Sequence, residues 1–302
     1  MSLEADLTLA RRRLKRGIVF WRVVAVVAIV VAIIGLTHFT LPLASRHVAV
    51  LKVSGLIGDE QAEADAVAKL ADDRDVAALM VVINSPGGAV SGGEALHDAI
   101  ETVAAKKPVV AVMQGIAASA GYMIAVPAAR IFARQSTITG SIGVLLEAPE
   151  IGGLLDKLGI NVQTLVSGPL KGQPSLTAPM TPAGQAALQA LIMNLYGQFV
   201  AMVAQGRHMS VDAVKALADG RAYTGQQALP LHLIDQIGGQ DAARAWLASA
   251  HGVPESLPAR PVPIPGKGAS FFGIHLGGVA NLLFSQRVML DGAMALWQPS
   301  QD

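Results

Sequence analysis

Three separate segments of this chain carry residue types that could do chemistry together. The first runs from Gly115 to Gly143, GIAASAGYMIAVPAARIFARQSTITGSIG, and holds Ser119 at the start of what reads as a short helix. Its alanines and glycines let backbone pass close to backbone, so a hydroxyl here is either a tight packing position or a nucleophile. A nucleophilic serine needs a base to take its proton and donors to hold the oxyanion it creates. The second segment, Asn84–Val90, reads as a strand-to-helix loop. Pro86 restricts φ while Gly87 and Gly88 free the backbone to turn amides outward. Amides beside a helix N-terminus suit a developing oxyanion, although the same residues also suit an ordinary tight turn. The amide of Ala120, next to Ser119, is the matching second donor. The third segment, Ser167–Pro179, carries Lys171 with no carboxylate between Asp156 and Asp212. A lysine ordinarily points into water. Desolvated in an apolar cleft without a counter-ion it loses its proton more readily and becomes a usable general base, and Ser141 or Thr139 could orient its amine.

Other chemistries find less support. The serine lacks the G-x-S-x-G elbow: Gly121 fits the last position but Ala117 occupies the first. No histidine falls between His97 and His208, which leaves a Ser–His–Asp triad unsupported. The seven histidines are scattered without zinc-helix spacing, and no P-loop or G-x-G-x-x-G is present. No metal or cofactor is expected. The absence of cysteine removes disulfides and thiolate sites. A net charge of +1 gives no basic face for nucleic acid.

The elements around these segments alternate. His47–Val53 reads as a strand, Glu60–Asp72 as a helix, Val76–Ile83 as a strand buried on both faces, Ser91–Ala105 as a helix and Pro108–Met113 as a strand. Shorter strands are expected at Arg130–Ala133, Gly140–Leu145 and Asn161–Val166, with helices from Pro149, Thr181, Ser210, Thr224 and Gln240. This order predicts an α/β fold with mostly parallel pairing and helices packed around the sheet. The composition agrees, at 52% hydrophobic but only 4% aromatic, because small aliphatic residues suit helices packed closely on buried strands. Before this body, residues 1–17 are basic and 18–43 are apolar enough to span a bilayer, with Trp21 at an interfacial position. The basic flank predicts a cytoplasmic N-terminus and an exported body at 46–253. A cleavable signal peptide ending near Ala44 is the competing reading. Residues 254–302 begin with a Pro-rich linker and end in a patchy apolar tail, which suits docking on the body, an oligomer interface or the membrane.

The combination resembles the bacterial signal peptide peptidases, membrane-anchored Ser-Lys proteases of the Clp/crotonase fold. The motifs in order are INSPGG at Ile83–Gly88, AASAGY at Ala117–Tyr122, TGSIGV at Thr139–Val144, the Gly168–Lys171 loop and ADGRAYTGQQAL at Ala218–Leu229. The resemblance covers about residues 47–250. It implies Ser119 as nucleophile, Lys171 as general base and Ser141 as the group that orients the lysine. It also implies an oxyanion hole made by Gly87 or Gly88 with Ala120. The family has an aromatic residue before the lysine, where this chain has Leu170. The resemblance further implies homo-oligomers whose sites combine neighbouring subunits, and substrates that are signal-peptide remnants and other apolar peptides. A non-catalytic membrane-tethered scaffold of the same fold is the alternative. An acyl-coenzyme A enzyme ranks last, because export removes coenzyme A.

Overall fold

The apolar run Val76–Ile83 is buried at every position, as a strand with layers on both faces requires. It forms the first part of β2 (Val76–Ala89) and pairs in parallel with β1 (His47–Ile57) and β3 (Val109–Ala118). The computed structural model describes residues 21–29, 46–265 and 294–296. The chain divides into two compact units, Met1–Ser45 and Arg46–Asp302. In the first, residues 21–29 form helix α1, exposed throughout; the rest of the expected 18–43 anchor lies outside the described residues.

The second unit contains one nine-stranded sheet among the described residues. Its further strands are β4 (Arg130–Ala133), β5 (Ile138–Gly140), β6 (Ala222–Thr224), β7 (Gln236–Ile237), β8 (Ala259–Pro261) and β9 (Met294–Leu296). The order is β6-β5-β3-β2-β1-β8, with β4 joining β3 to β7 and β9 on β2. All pairs are parallel except β5–β6 and β2–β9. Alternate side chains feed two cores. Leu79, Val81 and Ile83 meet α2 (Gln61–Lys69), α3 (Val90–Ala104), α4 (Ala120–Ala125) and the C-terminal half of α6 (Pro182–Gly206). Ala78, Met80 and Val82 meet Ala243 and Leu247 of α9 (Gln240–His251). The expected α/β fold with mostly parallel pairing is therefore present.

Local signals set the helix starts. Thr181 accepts from the Gly184 amide with Pro182 at the first position of α6, and Ser210 accepts from Ala213 to start α7 (Val211–Lys215). Thr224 and Gln227 form a reciprocal capping box on α8 (Gly225–Ala228). Among the described residues, α6 is long and apolar enough to cross a membrane by length and composition. Its C-terminal half packs Phe199, Val200, Val203 and Ala204 into the core, which makes it an element of this domain.

Several expected boundaries differ. Asn84–Val90 is not a loop: β2 continues to Ala89 and α3 starts at Val90. It does so because β1 runs alongside, Leu56 opposite Gly87 and Ile57 opposite Gly88. The strand expected at Gly140–Leu145 stops at Gly140, since Ser141 turns at φ 49°. Asn161–Val166 is exposed and pairs with no strand among the described residues. The helix expected from Pro149 is short, α5 (Gly152–Lys157). Within the Pro-rich segment, Ala259–Pro261 forms an edge strand on β1, a position that tolerates proline.

One ion pair ties the layers. Arg207, at the end of α6, gives two hydrogen bonds to Asp235 (3.0 and 2.6 Å) and one to the His232 carbonyl (2.9 Å). Asp235 also accepts from the Ile131 amide of β4 at 2.7 Å. Burial is the largest influence and works against the arginine charge, but the Asp235 hydrogen bonds together with the electrostatic attraction of Tyr122 and Asp235 raise the pKa on balance. Replacing Asp235 with Ala leaves a buried guanidinium without its counter-ion and the Ile131 amide unpaired. The expected loss is about 3 kcal/mol of stability, read as the shift in urea midpoint with an unchanged slope.

Candidate active site

Ser119 joins β3 to α4. The final β3 residues pair with β5, Ala117 opposite Thr139 and Ala118 opposite Gly140, and the Ser119 amide then donates to the Gly140 carbonyl at 2.8 Å. This bond turns the chain. Ser119 has φ 56° and ψ −121°, a conformation that residues with a Cβ rarely adopt and that costs about 1–3 kcal/mol. Its carbonyl accepts from the Tyr122 and Met123 amides (2.9 and 3.0 Å) to start the helix. α4 has six residues, all buried, too few to be stable alone. Close packing holds it: a Cβ at Gly121 would lie 2.9 Å from the Ser85 carbonyl oxygen, and one at Gly93 would lie 3.0 Å from the Ala120 Cβ. Tyr122 anchors the helix by donating to the Leu233 carbonyl at 2.9 Å. Its phenol is fully buried, which pushes its pKa up.

The Ser119 side chain is 1% exposed, and its Oγ has no hydrogen-bond partner. An unsatisfied buried hydroxyl costs about 1–3 kcal/mol, so strain and desolvation fall on the same residue. The Ala120 amide, first in α4, has no acceptor within its own helix. The last β2–β3 pair, Ser85 opposite Ala117, brings the glycines close. The Gly87 amide donates to the Ser85 Oγ at 3.1 Å. Of the two candidate glycine donors, Gly87 is thus already engaged by a side chain, which favours Gly88. Gly88 admits no side chain, since a Cβ there would lie 2.0 Å from the Ile57 carbonyl oxygen.

Ser141 also lies here, one residue past the carbonyl that holds Ser119. Its amide donates to the Arg221 carbonyl at 2.9 Å, and it is 5% exposed. The two orienting candidates now separate: Thr139 Oγ1 is spent on the Ala117 carbonyl at 2.8 Å, whereas Ser141 lines a cavity of about 410 Å³. Val144, Leu145, Ile192, Met193 and Tyr196 give that cavity an apolar wall, beside the polar Ser141, Gln189 and Asp219. Asp219 on its rim is engaged by Arg221 at 2.9 and 2.7 Å, and those hydrogen bonds hold its carboxyl below the usual range.

Lys171 is the residue that the fold does not bring in. It sits in an exposed surface turn, its amide bonded to the Gly168 carbonyl at 3.1 Å. Because the Ser119 Oγ has no partner, the two side chains are not hydrogen bonded within one chain. Two contributions escaped the sequence reading. Ser85 gave no signal, since only the folded bulge aims it at Gly87. The wall of the cavity did give one: Gln189, Ile192, Met193 and Tyr196 fall at i, i+3, i+4 and i+7, one stripe of a helix.

This geometry has relatives. The profile of Peptidase family S49 matches residues 101–254. The chain belongs to peptidase family S49. The Clp protease profile matches residues 49–146. A Synechocystis sp. protein provisionally named a protease is 40% identical over 210 residues, covering 69% of this chain and 76% of that one. An Enterococcus faecium protein provisionally named signal peptide peptidase SppA is 40% identical over 173 residues, covering 56% and 50%. Protease 4 of Salmonella typhi is 35% identical over 177 residues, covering 58% and 28%. The chain thus spans three quarters of the first relative and half or less of the other two. Among solved structures, a mutant of the 1510-N membrane-bound stomatin-specific protease aligns with TM-score 0.48 and 15% identity, covering 73% of this chain and 99% of that one. ClpP1 from Listeria monocytogenes aligns with TM-score 0.42 and 20% identity, covering 64% and 93%. As an S49 member the chain is a peptidase, and its family places the work on peptide bonds.

The candidate site tolerates little change at Gly88. Gly88→Ala forces a Cβ into the Ile57 carbonyl and is expected to cost about 1–3 kcal/mol. Ser85→Ala removes the bond from the Gly87 amide and the longer one to the Gly87 carbonyl (3.4 Å), and is expected to cost about 1 kcal/mol. Thermal unfolding of both variants checks this ranking.

Proposed function

We propose that this chain is a membrane-anchored serine endopeptidase in which Ser119 attacks the substrate carbonyl and Lys171 of a neighbouring copy takes the serine proton. The observation that carries the reading is Ser119 itself: a strained, buried serine whose Oγ has no partner, at a strand-to-helix junction of an S49 chain. Nothing in a packing role calls for both costs at one residue.

The neighbouring copy enters because Lys171 is exposed within its own chain and Ser119 lacks a base. The cavity beside Ser141, with Val144, Leu145 and Ile192 in its wall, is where a lysine from outside would lose part of its water, and an amine so desolvated holds its proton less firmly. Ser141 accepts from that amine and orients it. In the first step the Ser119 Oγ–H proton passes to the amine and Oγ bonds the peptide carbonyl carbon. The oxyanion that forms is held by the Gly88 and Ala120 amides, with Gly87 the alternative donor. Collapse breaks the C–N bond as the ammonium returns its proton to the leaving amine. Water then gives a proton to the same amine as it attacks the ester; the acyl C–Oγ bond breaks, the ammonium passes that proton to Oγ, and the acid product leaves with Ser119 restored. These steps call on no metal or cofactor.

The apolar 18–43 segment with its basic flank supports a single-pass anchor in the plasma membrane, the peptidase unit facing the periplasm or cell exterior. Such a site would meet apolar peptides, signal-peptide remnants among them.

Ser119→Ala and Lys171→Ala are each expected to lower turnover of a fluorogenic apolar peptide by a factor on the order of a thousand or more. Labelling by a fluorophosphonate should fall on Ser119 alone. Co-expression of the two inactive variants should restore part of the activity, because a mixed assembly contains sites with both groups. If Lys171→Ala keeps full turnover, the base is elsewhere; if Ser119→Ala does, the reading fails.

A further inference from the structure

The cavity beside Ser141 holds one charge that the mechanism leaves unused. Among the described residues that line it, Asp219 is the one charged at neutral pH, and Tyr196 of α6 is the other titratable group. A carboxylate in that position works against a general base. An amine beside an opposite charge keeps its proton more firmly, and an ammonium cannot take a proton from serine. The carboxylate is, however, already engaged. Arg221 donates to it through Nε at 2.9 and 2.7 Å, and its Nη2 lies 2.5 Å from the second oxygen. These bonds hold the Asp219 carboxyl below its usual range. Two opposite charges at that separation largely cancel at a distance, so the cavity meets a dipole in place of a net charge.

The backbone fixes this arrangement. The Arg221 amide donates to Asp219 Oδ1 at 3.1 Å, a bond that holds the carboxylate at the rim without the guanidinium. The Arg221 carbonyl accepts from the Ser141 amide at 2.9 Å, so the residue that engages Asp219 also grips the serine expected to orient the base. From β6, Tyr223 faces the pair. Its phenol donates to the Leu217 carbonyl at 3.2 Å, and burial, followed by the Asp219 charge, pushes its pKa up, so it adds no charge at neutral pH. We propose that Arg221 is a positioning residue of the peptidase: it holds Asp219 in an ion pair, denies that carboxylate to the base amine as a counter-ion, and so lets the amine act near neutral pH. This rests on the reading that places the base in this cavity. The pair does little for folding, because its side chains are 67% and 45% exposed and exposed pairs contribute little stability.

The test is the pH profile of kcat/KM, which reports the free enzyme's base, measured on the full-length protein in detergent with a fluorogenic apolar peptide. Arg221→Gln leaves the carboxylate in place without its partner. The rising limb, on which the amine loses its proton, is expected to move about half a pH unit or more toward alkaline, which lowers kcat/KM on that limb about threefold. Arg221→Gln combined with Asp219→Asn removes both charges and is expected to return the limb to its wild-type position. Arg221→Lys keeps the charge and is expected to keep the limb. A structural role for Arg221 would instead lower kcat/KM at every pH, and removing the carboxylate as well would not restore it. An unmoved limb in Arg221→Gln, or one that stays alkaline in the double variant, overturns the proposal. Lys171→Ala separates it from the reading beneath it. Lost turnover there, with an unmoved limb in Arg221→Gln, overturns the positioning role alone. Full turnover there removes Lys171 as the base, and the Arg221→Gln limb then decides the role of Arg221 toward whichever cationic base replaces it. A chain that hydrolyses nothing overturns both.

Discussion

The hydrogen bond from the Ser119 amide to the Gly140 carbonyl is where this molecule's segments meet. It ends the β3–β5 pairing, bends the backbone of Ser119 into a conformation few residues adopt, and points the next turn into α4. The carbonyl that accepts it belongs to the residue before Ser141. The helix that it starts packs on the strand end that carries Gly87 and Gly88. Removing the bend would separate the hydroxyl, the glycine amides and the Ser141 wall in one stroke.

Such a junction is costly, and the surroundings offset it. Backbone strain and an unsatisfied hydroxyl together cost about 2–6 kcal/mol. α4 contributes little of its own, being six residues long. The compensation comes from burial: Tyr122, Met123 and Ile124 sit in the larger core beside Leu79, Ile83, Leu96 and Phe199. The Arg207–Asp235 pair ties the end of α6 to β4 through the Ile131 amide. The small residues at Gly93, Ala120 and Gly121 allow this without a gap, because backbone contacts backbone where a larger side chain would intrude.

The site is closed on three sides and open on one. The core and the β1 edge are complete within one chain. The Gly87–Ala89 edge is paired with Met294–Leu296. The cavity beside Ser141 faces outward and is lined by no lysine or histidine among the described residues of its own chain. In the proposed function, what fills the cavity is a neighbouring copy's lysine.

Much of this was legible in the sequence. The continuous apolar run Val76–Ile83 announced a strand buried on both faces, and Thr181-Pro182, Ser210 and Thr224 marked helix starts through local hydrogen bonds that need no tertiary context. The glycines at 87, 88 and 121 stood out because a missing side chain is visible at once, and Ser119 stood out among them. Tertiary structure alone decided the rest. The extension of β2 through Pro86 to Ala89 depends on β1 lying beside it. Asn161–Val166 stayed unpaired because no strand edge reached it, although its residue types favour a strand. Ser141, not Thr139, faces the cavity because the Ala117 carbonyl claims the threonine. Lys171 lies in an exposed turn with no hydrogen bond to Ser119, and Met294–Leu296 lies on the glycine edge, through contacts between residues far apart in sequence. Local propensity and pattern are written in neighbouring residues, whereas strand partners and the direction of a hydroxyl are set by whatever the folded chain brings alongside.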